Sequence, residues 1–68
     1  MLNRGELAGA LRELEAAVKL APDFAKAQYE LGAVLYARGD TNAATEHLRL
    51  AAKGGSAEAE QFLKKIGK

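Results

Sequence analysis

The sequence contains no cysteine, no tryptophan, one histidine and only four aromatic residues in 68 positions. Without thiols there is no disulfide to constrain the fold and no thiolate to hold a metal. A single imidazole, His47, is too little for a histidine-based metal site, so no metal or other cofactor is expected. With so few large rings, the core has to be assembled mostly from alanine and leucine, a composition that suits closely approaching helices. An excess of one charge is also missing. Ten basic and nine acidic residues leave a net charge of +1, and residues 1–34 carry four and five against six and four in residues 35–68. Neither half has the basic surplus of a phosphate-backbone binder, so nucleic acid is not an expected partner. Lys64, Lys65 and Lys68 read instead as cations placed at a helix C-terminal end. No apolar run approaches the roughly 20 residues of a membrane span. Met1 to Glu6 lacks the charged-then-apolar order of a secretory leader. The expectation is a soluble chain without a membrane partner, working in the cytoplasm.

A chain this short makes one small domain at most, and it buries a smaller share of its surface than a larger one would. Leu7, Ala10, Leu11, Leu14, Ala17 and Val18 recur at helical spacing and form one stripe that ends before Pro22. Asp23 is placed to cap a second helix with apolar positions Phe24, Ala27, Leu31, Val34 and Leu35. Gly39 stops that helix, because glycine adopts the left-handed conformation of a helix end without penalty. Asp40 is placed to cap a third, carrying Ala44, Leu48, Ala51 and Ala52, with Thr45 expected on its exposed side. Gly54-Gly55 ends it, and Ser56 opens a last helix with Ala59, Phe62, Leu63 and Ile66. No segment alternates apolar and polar residues as a half-buried strand does. The reading is all-α, with helices near 6–20, 24–38, 41–53 and 57–66.

Shifting the sequence by 34 residues superimposes Arg4-Gly5 on Arg38-Gly39, Ala10 on Ala44, Leu14 on Leu48, Ala17 on Ala51, Lys19 on Lys53 and Ala25 on Ala59. The matches fall where helices turn or touch. This period, with Leu31-Gly32, Gly39, Ala44, Leu48 and Ala51, resembles a tetratricopeptide repeat. The resemblance covers the whole chain. It implies antiparallel helix pairs, A and B, stacked as a short α-solenoid that turns as a right-handed superhelix. Residues 25–58 would form one complete copy, residues 1–24 the end of a preceding copy, and residues 59–68 the start of a following copy or a capping helix. Small Gly32 and Ala44 fit the A/B crossing, with Leu31 and Leu48 filling the layer around it. Gln28, Leu35 and Ser56 depart from the tryptophan, tyrosine and proline that the family often has there. The junction Lys53-Gly54-Gly55-Ser56 is therefore expected to be looser than Leu20-Ala21-Pro22-Asp23.

Catalysis finds little footing. A general base needs a partner within hydrogen-bond reach, whereas His47 reads as a polar residue on an exposed helix face. Gly54-Gly55-Ser56 precedes a helix but lacks the glycine spacing and lysine of a phosphate loop, so it reads as a turn. Glu13 and Glu15, like Glu58 and Glu60, are two apart and point to different sides of their helices. No catalytic residue is expected, and the chain is not expected to be an enzyme.

The resemblance implies a concave surface lined by A helices, whose outward positions here are Lys26, Tyr29, Ala33, Tyr36 and Ala37. Lys26, Tyr29, Ala33 and Tyr36 share a face by their spacing. Two amphipathic rings separated by alanine suit the apolar side chains of a peptide; the competing reading is that both rings pack on flanking helices. One family subtype holds chaperone C-terminal tails through lysine and asparagine in this groove, and Tyr29 and Ala33 stand in their place. The leading function is thus a protein-interaction module that binds a peptide or helix of a partner protein. The alternative is self-association, a homodimer formed by open-end packing or helix exchange. It is motivated by the apolar stripes of the first and last helices, since about three copies normally stabilise such arrays.

Overall fold

Apolar residues at three- and four-residue spacing wind the chain into helices, and short breaks turn each one back on the last. The computed structural model describes residues 4–67 as α1 (Arg4–Leu20), α2 (Ala25–Arg38), α3 (Thr41–Lys53) and α4 (Ala57–Lys65). The described residues hold no strand. Helix α2 is central, packing on α1 and α3, while α4 packs on α3. The helix pairs stack as the sequence led one to expect of a short TPR-type α-solenoid. Among the described residues no helix is long and apolar enough to cross a membrane.

Two apolar clusters follow from this order. Leu11, Leu31, Leu35 and Ala44 form the first, flanked by half-buried Leu14, Val18, Val34 and Ala43. Leu48, Ala51 and Ala59 form the second, flanked by Tyr29, Ala52, Phe62, Leu63 and Ile66. They meet where α2 crosses α3. There the absence of a side chain at Gly32 is a packing requirement. A Cβ on Gly32 would lie 2.7 Å from Leu48 Cγ and 3.1 Å from the Ala44 carbonyl oxygen. Leu48 and Ala44 are themselves fully buried.

Gly39 and Gly55 close their helices by the same device. Each has a left-handed φ, 102° and 103°. Around each, paired backbone bonds satisfy the last carbonyls: Gly39 N–H and Asp40 N–H donate to Tyr36 and Leu35, and Gly55 N–H and Ser56 N–H donate to Ala52 and Ala51. Ser56 then caps α4, its Oγ accepting from Ala59 N–H at 3.1 Å. The expected looseness of this junction does not extend to its hydrogen bonds, which outnumber those joining α1 to α2.

Five local expectations need correction. Asp23 does not cap α2; the N-cap is Phe24, which has no side-chain bond to offer and is half exposed to solvent rather than part of the core. Asp40 occupies the N-cap of α3 but makes no capping bond, and its carboxylate faces the Arg38 guanidinium at 3.6 Å. Thr45 is buried, because its Oγ1 donates back to the Thr41 carbonyl at 2.8 Å and leaves the methyl free to pack. His47 is half-buried rather than on an exposed face.

Candidate peptide-binding face

The outward face of α2 begins with an exposed Lys26, passes through half-buried Tyr29 and Ala33, and ends with exposed Tyr36 and Ala37. The two tyrosines, two helical turns apart, both meet Phe62 of α4. The Tyr29 ring lies 6.2 Å from it at an interplanar angle of 79°, and the Tyr36 ring 5.3 Å from it at 87°. Both are edge-to-face geometries, in which the positive rim of one ring approaches the negative face of the other. Packing on a flanking helix, one of the two readings of these rings, therefore describes one side of each. Tyr36 nevertheless keeps 40% of its surface open.

The five residues do not line one continuous hollow. Tyr29 and Ala33 share an open groove of about 390 Å³ with Glu30 and Val34 of α2 and Ala10, Glu13 and Leu14 of α1. Ala37 lines another hollow with Leu7, Ala8 and Arg38. Lys26 and Tyr36 line neither. The α1 wall went unread as part of a site because Ala10 and Leu14 carry the spacing of core residues. Their half-buried state was legible only by asking which helix covers them.

A polar link stands beneath this face. Gln28 is buried at 3% exposure, where a large apolar ring was the expectation for a resembling chain. Its Nε2–H donates to the Pro22 carbonyl at 2.9 Å, and its Oε1 accepts from His47 Nδ1–H at 2.7 Å. A buried amide costs free energy unless its groups are bonded, and here both ends are satisfied. The link ties the turn before α2 to α2 itself and to α3. It also fixes the proton of a neutral His47 ring on Nδ1. Among the described residues, no three histidine or carboxylate side chains gather as a metal would need.

A family model described as TPR repeat matches residues 2–39 of the 68. That span takes in α1, the first turn between helices and all of α2. No curated protein and no solved structure showed significant similarity to the chain. The match covers more than half of the sequence, the helices pack in the stacked pairs that such repeats form, and Gly32 meets Leu48 where small and large residues must interlock. The chain belongs to the tetratricopeptide (TPR) repeat family, whose members generally mediate protein–protein interactions.

Proposed function

We propose that this chain is a protein-interaction module that holds a peptide or helix of a partner protein on the α2 face bearing Lys26, Tyr29, Ala33, Tyr36 and Ala37. The observation that carries this reading is the state of Tyr36, restrained on one side by Phe62 yet 40% exposed. A ring already restrained loses little rotamer freedom when a ligand lands on its open side. It offers apolar area together with a hydroxyl, and neither tyrosine hydroxyl is committed to a hydrogen bond among the described residues. Small alanines beside the rings leave room for a partner's side chains. Lys26, exposed and without an ion pair among the described residues, adds a cation at one end.

The test is a displayed library of random 12-residue peptides selected on the protein, followed by amide-shift mapping. Selected peptides should move Lys26, Tyr29, Ala33, Tyr36 and Ala37. Combining Tyr29→Ala with Tyr36→Ala should weaken them about tenfold or more, as loss of aromatic anchors does, while far-ultraviolet circular dichroism keeps most of its helical signal. Collapse of that signal would assign the rings to the core and remove the reading.

A further inference from the structure

The open groove between α1 and α2 has a filled counterpart inside the same molecule. On α3, Ala44 and Leu48 receive α2 at Gly32, and His47 hydrogen-bonds Gln28 of that same helix. The residues 34 positions earlier are Ala10, Leu14 and Glu13, and all three line the groove. The surface that seats α2 on α3 is thus repeated on α1 with its small and large residues unchanged. At its polar point histidine is replaced by glutamate. The opposite wall adds Glu30, and neither Glu13 nor Glu30 has an ion pair among the described residues. An apolar trough edged by two unpaired carboxylates favours a ligand with apolar side chains and a cation.

We propose that this groove receives an amphipathic helix of another protein, lying on α1 as α2 lies on α3. The occupant carries leucines at the places of Leu31 and Leu35, a glycine at the place of Gly32, and lysine or arginine at the place of Gln28. The small residue is required because Leu14 stands where Leu48 leaves no room for a Cβ. The cation is required because Glu13 stands where His47 donates to Gln28, so the incoming side chain has to donate where Gln28 accepts. The proposal shares Tyr29 and Ala33 with the α2 face described above. It needs neither Lys26 nor Tyr36, and Glu13 belongs to it alone.

The probe is a synthetic peptide of residues 24–39 with Gln28→Lys, cross-linked between positions 33 and 37 because an isolated helix of this length is marginal in water. Titrated into the intact chain, it should shift the amides of Ala10, Glu13, Leu14 and Ala33. It should bind about tenfold more tightly than the Gln28→Glu peptide, the expected scale for a close charge pair against a like-charge clash. Gly32→Leu in the peptide should abolish binding. In the protein, Glu13→Lys alters an exposed side chain and should reverse the preference between the two peptides. Equal binding of both peptides overturns the proposal, as does a preference that survives Glu13→Lys. Shifts centred on α3 and α4 would show exchange with the chain's own α2 and would also overturn it. So would shifts at Ala10 and Leu14 that follow protein concentration without peptide, since the occupant would then be a second copy.

Discussion

Ala10, Leu14 and Ala17 on α1 are the same residue types, in the same spacing, as Ala44, Leu48 and Ala51 on α3. On α3 all three are fully buried; on α1 all three are only half-buried. Residue type and helical spacing are therefore held constant while burial changes. What differs is the neighbour. Helix α3 packs on both α2 and α4, whereas the main helix partner of α1 among the described residues is α2. The comparison teaches that in this fold a core is a property of a helix stack rather than of a helix. A sequence pattern announces which face is to be covered and leaves open what covers it.

The sharpest way to break the comparison is to shorten the same side chain in both places. Leu48→Ala should cost about 3 kcal/mol or more, since a fully enclosed leucine loses its transfer free energy and leaves a cavity. Leu14→Ala should cost only about 1 kcal/mol, because solvent already reaches its site and no closed void results. Urea unfolding of the two variants reads the difference directly. Equal losses would mean that α1 is covered as well as α3 is.

The glycines extend the contrast with smaller effects of opposite sign. Gly32→Leu should destabilise by about 1–3 kcal/mol through overpacking against Leu48 and the Ala44 carbonyl. Gly9, inside α1, has nothing within 4 Å of where a Cβ would stand. Gly9→Ala should therefore raise stability by roughly 0.5–1 kcal/mol, the ordinary helix preference of alanine over glycine. Thermal melts of the pair should move in opposite directions. A Gly32→Leu protein as stable as its parent would displace Gly32 from the α2/α3 crossing.

The two junctions between helix pairs provide the smallest effect. Ser56→Ala removes the capping bond of α4 and should cost about 1 kcal/mol. Asp23→Ala removes no capping bond from α2, whose N-cap is Phe24, and should change stability by less than about 0.5 kcal/mol. Chemical denaturation of both variants measures the asymmetry, and a costlier Asp23→Ala would reverse the account of the junctions.

Much of this was legible in the sequence. The helices begin and end within about two residues of the expected bounds, because the 3.6-residue spacing and the glycine stops are local signals. The Gly32–Ala44–Leu48 interlock was legible through the resemblance to a tetratricopeptide repeat, which places small residues at the crossing of the two helices. The Gln28–His47 bond was not, since it joins residues 19 apart whose types favour no particular partner. Thr45 was misread because a threonine that bonds back to the preceding turn hides its hydroxyl and behaves as a small apolar residue. Of the candidate face, the shared side of α2 was readable from spacing. The α1 wall of the groove was not, because Ala10 and Leu14 announce a core without naming its cover.

Phe62 gives the molecule an optical property that its composition would not suggest. There is no tryptophan, so emission excited in the tyrosine band, beyond the shorter-wavelength absorption of phenylalanine, comes from Tyr29 and Tyr36, and both rings rest on Phe62 of α4. Helix α4 supplies no chromophore at those wavelengths, yet it sets the surroundings of the two that exist. Near-ultraviolet dichroism and tyrosine anisotropy should therefore follow the docking of α4, while far-ultraviolet dichroism follows the whole helical content. If heating peels α4 away first, the near-ultraviolet signal fades at a temperature where most helix remains. Two ordinary spectra then separate detachment of one helix from melting of the rest, with no label introduced.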